Sequence, residues 1–296
     1  MNQLFRKANL NSSFLIASEI IKVISDNNPY DRLDELLYIH AQSHTDFMSD
    51  FLTENIQCII SPQKRTLLHS FIEQFFGCLL SNEFYYFKDN YFDEPGEQLL
   101  SDFIEDKRML FSDCSVDISS FQEEAEQIEN EFEQEYDKDE PNTQDIEKRA
   151  RNLLDKMEAT LYLNYDELTD SVFYLLYNNK KFLFEFNYFI APFVTSHLLP
   201  TDIFDDHFHI KRCSSLPKWL QNGIIYRDRA TCQHCGFDLS NSFRIMEMGQ
   251  MHFDHIIPLE KGGTNDSTNF QLLCSVCNLK KNDNLVLPDY HYQMYW

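Results

Sequence analysis

The sequence predicts an α+β protein, with a mainly α-helical N-terminal domain at residues 1–211 and a small mixed domain at residues 212–296. Only 7 glycines occur in 296 residues, and just two of them, Gly77 and Gly96, precede residue 212. Long segments with an apolar period near 3.6 fill this glycine-poor part, as expected of helices. Beyond residue 212, two pairs of closely spaced cysteines enclose a short strand-like run. These observations separate the two domains.

The N-terminal domain is predicted to consist of helices separated by short polar stops. Pro29 and Pro62 each open a helix, because the first helical position needs no backbone N–H. An aromatic cluster at residues 83–92 is interpreted as core rather than as a platform for stacked bases, because acidic residues surround it. The predicted helices span residues 11–26, 29–55, 62–80, 143–163, 166–178 and 181–199.

Charge is distributed unevenly along the chain. The formal net charge is −23; residues 1–211 contain 17 basic and 40 acidic residues, whereas residues 212–296 contain eight of each. Such an acidic domain repels a phosphate backbone at long range. We therefore predict that it binds a protein partner or regulates the rest of the chain. Its most acidic segment, residues 117–142, is interpreted as a solvated helix or partly disordered; an acidic patch that mimics nucleic acid is the alternative.

The paired cysteines predict a structural zinc site. Cys232 and Cys235 form one C-x-x-C turn, and Cys274 and Cys277 form the other. Each turn directs two thiolates to one point, and two turns supply the four sulfur ligands of a closed tetrahedral site. Because sulfur fills every position, such a zinc contributes folding energy and offers no open site to substrate. A redox C-x-x-C or two unrelated thiol pairs is the alternative.

The residues near and between the cysteine pairs have the chemistry of phosphodiester hydrolysis. Asp254 and His255 lie within the strand-like run 251–257. A neutral imidazole is a good general base, and a carboxylate is a good ligand for a hard divalent cation. Asn278, after the last cysteine, adds a neutral oxygen; this small donor set leaves most positions to water and phosphate, as Mg²⁺ prefers. Adjacent strand residues point to opposite faces, so Asp254 and His255 converge only if the strand bends or ends there.

At these residues the chain resembles the HNH endonucleases of the ββα-metal (His-Me finger) superfamily, in their four-cysteine branch. The resemblance covers roughly residues 226–284. It rests on four motifs in order: Asp-His-Ile-x-Pro at 254–258, Gly-Gly at 262–263, Asn269, and Cys-x-x-Cys-Asn-x-x-Lys at 274–281. The position after the last cysteine, which gives the family name its final letter, holds Asn278 instead of histidine.

The resemblance implies a role for each motif residue. Asp254 and Asn278 bind a catalytic Mg²⁺ or Mn²⁺, His255 is the general base, and Asn269 holds the loop that aims the imidazole. The implied strands lie near residues 242–248, 251–257 and 270–273, and the implied helix lies near residues 275–283.

The resemblance further implies a DNA endonuclease that approaches double-stranded DNA through the minor groove and nicks it, since one active site cuts one strand. A double-strand break requires two copies, which leaves a homodimer open. A helical partner-binding domain fused to a nuclease suggests bacterial defence against phage or foreign DNA. The competing hypothesis is a catalytically silent zinc-binding interaction protein within a larger complex. Five basic residues are predicted to contact phosphates: Arg227, Arg229, Lys261, Lys280 and Lys281.

The remaining features favour a cytoplasmic protein without a membrane span. Four further cysteines show no spacing typical of a disulfide framework, and the N-terminal residues do not have the pattern of a signal peptide. The most apolar run, residues 182–194, is polar at several positions and too short to cross a bilayer. An Asp/His/Cys grouping at residues 205–213 is interpreted as linker rather than as a second metal site.

Overall fold

The computed structural model describes residues 12–40, 42–93, 99–136, 143–196, 199–240 and 250–287. Within these ranges the fold is α+β, as predicted, with helices through the N-terminal part and a two-stranded sheet near the C-terminus. The helices are α1 (Ser12–Ile24), α2 (Pro29–Leu37), α3 (His44–Glu54), α4 (Ile56–Ile60), α5 (Leu67–Asp93), α6 (Leu100–Asp106), α7 (Arg108–Asp113), α8 (Ser119–Tyr136), α9 (Gln144–Asn164), α10 (Asp166–Tyr177), α11 (Lys180–Val194) and α12 (Lys218–Arg227). The sheet consists of β1 (Met251–His255) and β2 (Phe270–Cys274), and α13 (Ser275–Lys281) follows it directly.

The predicted helix 29–55 is divided in two. α2 ends at Leu37, a 3₁₀ turn covers Tyr38–His40, and α3 begins at His44. Ser43 is the N-cap of α3, and its side chain accepts a hydrogen bond from the backbone N–H of Asp46. A serine followed by an acidic residue three positions later is a signal for a helix start, so the sequence contained the break.

The helix predicted for residues 62–80 begins at Leu67 and continues to Asp93. Its first N–H group, at Leu67, donates a 2.9 Å hydrogen bond to the carboxylate of Asp266. A negative charge at a helix N-terminus satisfies donors that lack a partner within the helix. This cap comes from a residue 199 positions away, so local sequence patterns did not show where the helix starts.

The acidic segment forms a helix over the residues that the structure describes. α8 packs against α6 and α9 through the buried side chains of Ala125 and Ile128. Most of its acidic residues face solvent, which agrees with the interpretation as a solvated helix. The predicted continuation of the segment to residue 142 lies outside the described residues from position 137 onward.

The chain forms two compact units, each assembled from separate stretches of sequence. The first contains residues 1–20 and 72–173, and the second contains residues 21–71 and 174–296. The predicted boundary between residues 211 and 212 falls inside the second unit. The predicted roles of the two sequence domains stay predictions. In the first unit the aromatic cluster contributes Phe84 and Phe87 to the core, whereas Tyr85 and Tyr86 are exposed.

The second unit contains the small sheet. β1 and β2 are antiparallel, and their register pairs Asp254 with Gln271 and His255 with Phe270. A core beneath the sheet contains Leu220 and Ile224 of α12 together with Phe270 and Leu272 of β2. The strand predicted at residues 242–248 lies outside the described residues. No helix in the described part of the chain is long and apolar enough to cross a membrane.

Candidate functional site

The four paired cysteines converge on one point. Their sulfur atoms all lie within 4.8 Å of one another. Cys235 Sγ and Cys274 Sγ are 3.9 Å apart, close to the roughly 3.8 Å expected between two ligands of a tetrahedral zinc with Zn–S bonds of about 2.3 Å. Among the described residues this is the one group of three or more His, Cys, Asp or Glu side chains with the spacing of a metal site.

Backbone geometry shapes both cysteine turns. In the first turn, Gly236 adopts a left-handed φ of 70° and donates a hydrogen bond to the carbonyl of Cys232, a conformation that favours glycine. In the second turn, the N–H of Cys277 donates to Cys274 Sγ at 3.4 Å. Burial and then the thiols of Cys235 and Cys274 raise the pKa of Cys277. Thiols this close become four thiolates only with a cation between them, so the donor set fits zinc.

A buried ion pair fastens the C-terminal end of α12 to the outer edge of β2. Arg227 and Asp228 form a salt bridge at 2.8 Å, and both side chains are almost fully buried. Arg227 donates to the carbonyl of Phe270 at 2.6 Å, and Asp228 accepts from the N–H of Leu272 at 2.8 Å. The guanidinium also lies over the ring of Tyr177. Arg227 was predicted to contact phosphates; the structure shows it instead as a structural residue inside the protein.

The loop between the strands is tightly folded around its two glycines. Gly262 has a φ of 83°, and a Cβ there would lie 2.6 Å from the carbonyl oxygen of Ala191. A Cβ on Gly263 would lie 2.0 Å from the carbonyl oxygen of Ile257. Real Cβ atoms do not approach backbone this closely, so both positions exclude any side chain. The Gly-Gly motif therefore has a packing reason in this chain.

Asn269 holds the two ends of this loop together. Its Oδ1 accepts from the N–H of Ile257 at 2.8 Å, and its Nδ2 donates to the carbonyls of Ile257 and Thr264 at 3.0 and 2.9 Å. The backbone carbonyl of Asn269 accepts a further bond from Ile256. These contacts fix the chain directly after His255. The role of Asn269 in aiming the imidazole stays a prediction.

His255 points into the protein. Its side chain is 2% exposed and its ring lies 4.5 Å from the ring of Phe270. The Nε2 atom is 3.2 Å from Oδ1 of Asn265, whereas Nδ1 is buried without a hydrogen-bond partner among the described residues. Burial, followed by the positive charge of Arg212, lowers the pKa of His255 to about 3. The imidazole is therefore neutral at physiological pH, the form that can accept a proton.

Asp254 lies on the opposite face of the sheet from His255, as the pairing with Gln271 and Phe270 shows. Its Oδ2 forms a 2.8 Å salt bridge with Lys281 Nζ and accepts from Gln271 at 3.4 Å. Lys281 also donates to the carbonyl of His255 at 2.8 Å and is itself buried. Lys281 was predicted as a phosphate contact, but here its charge is used within the protein.

The structure thus divides the predicted site residues into groups. The cysteines converge, and Asn278 lies half-buried in α13, three positions before Lys281 on the same helix. Asp254 and His255 share no side-chain contact. Asp254 bonds Lys281 and Gln271, whereas His255 contacts Asn265 and Phe270. The remaining predicted phosphate contacts are exposed: Arg229, Lys261 and Lys280.

Sequence comparison agrees with this geometry. Residues 232–284 match the family model described as HNH endonuclease. The chain carries an HNH endonuclease domain. The matched residues begin at Cys232, the first cysteine of the cluster, and extend beyond α13. The HNH match supports membership of a nuclease family and implies nucleic-acid binding. No curated protein and no solved structure matched the chain.

Two contacts within the HNH domain were not anticipated. Asn265, rather than Asn269, contacts the imidazole of His255, and Lys281 contacts Asp254. Asn265 lies two residues after Gly263, but no local pattern distinguishes it from the other polar residues of the loop. Lys281 follows Asn278 by three positions, one helical turn, and this spacing was the available signal that Lys281 faces the same side.

Proposed function

We propose that the protein is a metal-dependent DNA endonuclease that hydrolyses phosphodiester bonds and nicks double-stranded DNA. The observation that carries the proposal is a zinc-type cysteine cluster in the matched HNH region, with an aspartate, a neutral histidine and an asparagine at the motif positions. In this proposal the cluster holds a structural zinc, and His255 is the general base.

Asp254 and Asn278 are the residues that would hold a catalytic Mg²⁺ or Mn²⁺. The carboxylate and amide oxygens fit a hard cation, and neither contact of Asp254 uses its Oδ1 atom. When bound, such an ion stabilises the negative charge that develops on the scissile phosphate. Lys281 neutralises the same carboxylate. Metal binding therefore requires either that Lys281 moves away or that Asp254 binds the metal ion and the Lys281 ammonium group together.

His255 supplies the other half of the chemistry. A neutral imidazole accepts a proton from the attacking water, and general-base catalysis contributes about 10²–10⁴-fold to the rate. In this structure the ring is buried, so the base has to be reached when DNA binds. Arg229, Lys261 and Lys280 are exposed and supply positive charge to the proposed contacts with phosphates.

The biological setting is also a proposal. Eight cysteines without a disulfide support a reducing cytoplasm. The acidic residues before position 212 favour a protein partner over DNA, and a homodimer would allow cleavage of both strands. A nuclease domain attached to such a helical part suits defence against phage or foreign DNA.

The test is conversion of supercoiled plasmid to open circles with Mg²⁺ or Mn²⁺, with and without EDTA. We expect metal-dependent nicking by the wild type and loss of nicking in His255→Ala and Asp254→Asn. His252→Ala is the matched control: His252 lies in the same strand but bonds Ser275, so this variant should keep its activity. Full activity of His255→Ala would exclude the assigned base.

A second candidate function is a catalytically silent zinc module that binds a partner. The burial of His255 and the Asp254–Lys281 salt bridge favour it, because both predicted catalytic side chains are occupied or covered. A purified protein that binds zinc but nicks no plasmid with any metal would support this candidate.

A further inference from the structure

The side chain of Asn265 determines which nitrogen of His255 can accept a proton. A neutral imidazole has one N–H and one lone pair, and the partner of one nitrogen decides the role of the other. A general base in the wrong tautomer presents an N–H to the water that it should deprotonate. The contacts of Asn265 are therefore informative about catalysis.

The orientation of the Asn265 amide follows from its backbone partners. Nδ2 donates to the carbonyls of Ile60 at 3.1 Å and Lys211 at 2.8 Å. Oδ1 accepts from the N–H of Cys213 at 3.3 Å. Reversing the amide would place an NH₂ group against an N–H donor and an oxygen against two carbonyls. Only one orientation satisfies all three contacts.

The same orientation assigns the proton on His255. Oδ1 of Asn265 is an acceptor and lies 3.2 Å from His255 Nε2. The imidazole must therefore donate, which places its proton on Nε2 and its lone pair on Nδ1. Nδ1 is buried and has no hydrogen-bond partner in the described part of the chain. This lone pair has no partner among the described residues, so it can accept a proton once a substrate water reaches the buried ring.

Asn265 is held in place by parts of the chain outside the HNH match. Its side chain is fully buried, and its N–H donates to the carbonyl of Ile59 at 2.9 Å. Ile59 and Ile60 end α4, and Lys211 precedes the cysteine turns. The helical segment thus fixes a residue that contacts the predicted base.

We propose that Asn265 is a positioning residue for His255, which fixes the Nε2–H tautomer and leaves Nδ1 as the proton acceptor. The catalytic consequence rests on the proposed nuclease function, whereas the tautomer is independent of it. Asn269 has a different role, because it bonds backbone groups of the loop.

The first experiment identifies the tautomer in the wild-type protein. Long-range ¹H–¹⁵N spectra of protein labelled at histidine distinguish the protonated ring nitrogen from the unprotonated one, and the spectrum of His255→Gln assigns the signal. We expect the proton of His255 on Nε2. A proton on Nδ1 overturns the proposal, whether or not any variant folds.

The second experiment compares two buried asparagines. Asn265→Ala removes the acceptor, whereas Asn187→Ala removes a buried amide that bonds Leu183 and Thr268 in the same unit without touching His255. We expect Asn265→Ala to lose the single Nε2–H tautomer and to lower kcat about 10²-fold or more. Asn187→Ala should keep the tautomer and kcat.

The outcomes separate this proposal from the proposed function. If the wild type shows the Nε2–H tautomer but nicks no DNA with any metal, the nuclease proposal fails and the positional role of Asn265 remains. If the wild type nicks DNA and folded Asn265→Ala retains both the tautomer and kcat, the positioning role fails and the nuclease proposal remains.

Discussion

At the scale of residues, burial distinguishes charged side chains of the HNH region that make structural contacts from those that are available to a ligand. Arg227, Asp228 and Lys281 are buried and join backbone segments to one another. Arg229 and Lys280 are exposed and available to an external anion. Replacing a basic residue of the first kind should change stability, and replacing one of the second kind should change DNA binding and its salt dependence.

Burial of His255 makes stability depend on pH. Its pKa is about 3 in the folded protein, whereas an unfolded histidine has a pKa near 6.5. The unfolded state therefore binds an extra proton between these values, and the free energy of unfolding falls as the pH drops below about 6.5. Above that pH the stability is not reduced by protonation of the unfolded histidine.

We expect the wild type to lose about 2 kcal/mol more than His255→Gln between pH 7.5 and pH 5, since one pKa unit corresponds to about 1.4 kcal/mol. Urea unfolding at the two pH values measures this difference. His40→Gln changes an exposed histidine and should behave like the wild type. Equal losses in wild type and His255→Gln would contradict a buried neutral imidazole.

Lys281 should be required for stability in the absence of metal. Lys281→Met leaves the carboxylate of Asp254, which is mostly buried, without its cation, and loss of one partner of a buried pair costs about 3–5 kcal/mol. We expect a lower Tm that Mg²⁺ partly restores, because the freed carboxylate can then bind the ion. Thermal melts with and without Mg²⁺ provide the measurement. The exposed neighbour supplies the control, Lys280→Met, whose Tm should hardly change.

At the scale of elements, the loop between β1 and β2 depends on close backbone packing. Gly263→Ala places a Cβ against the carbonyl of Ile257, so we expect a loss of several kcal/mol, in the range of severe overpacking. Gly223→Ala is the matched control. Apart from its chain neighbours and the backbone of α12 itself, nothing lies within 4 Å of a Cβ at Gly223. A helical Gly→Ala change stabilises by about 0.5–1 kcal/mol. Denaturant unfolding of both variants tests this; equal effects would refute the packing argument.

The stability of the two cysteine turns is expected to depend on bound metal. Cys277→Ser should lose the zinc and lower the Tm of the protein, because zinc-binding energy is folding energy. Cys213→Ser removes a half-buried thiol outside the cluster and should retain one zinc per chain. Elemental analysis together with thermal melts distinguishes the two. Full zinc content in Cys277→Ser would show that the four sulfurs do not form one site.

At the scale of the whole molecule, the HNH region depends on sequence far upstream of it. Judged by charge alone, a fragment that starts near Ser214 should bind and nick DNA better than the full chain, since the acidic excess lies before that point. Such a fragment lacks the backbone groups that bond Asn265 and the Leu67 N–H that bonds the buried carboxylate of Asp266. Because the fragment loses all of these buried hydrogen bonds together, we expect their loss to outweigh the relief of charge repulsion.

We therefore expect the fragment from residue 214 to bind zinc, to unfold at a lower temperature than the full chain and to nick plasmid no better. Zinc content, thermal melts and nicking at low and high salt give the comparison. A fragment that is as stable as the full chain and nicks better at low salt would show that repulsion dominates.

Local patterns predicted much of this fold and the residues of the candidate site, but few of its contacts. The motif spacing identified the four cysteines, and helical periodicity identified α9, α10 and α11. The same patterns did not reveal the cap that Asp266 provides to α5 or the contact of Asn265 with His255. These interactions join distant segments, and a single sequence does not encode which polar side chains meet.

The side chains that cover β2 also determine how the sheet can grow. A strand at the border of a sheet exposes backbone groups that can pair with another chain, a common route to aggregation. Along the outer border of β2, Arg227 donates to the carbonyl of Phe270, and Asp228 accepts from the N–H of Leu272. The N–H of Gln233 donates to the Leu272 carbonyl. A second copy cannot add a strand there without displacing them. Self-association by strand addition along β2 is therefore blocked.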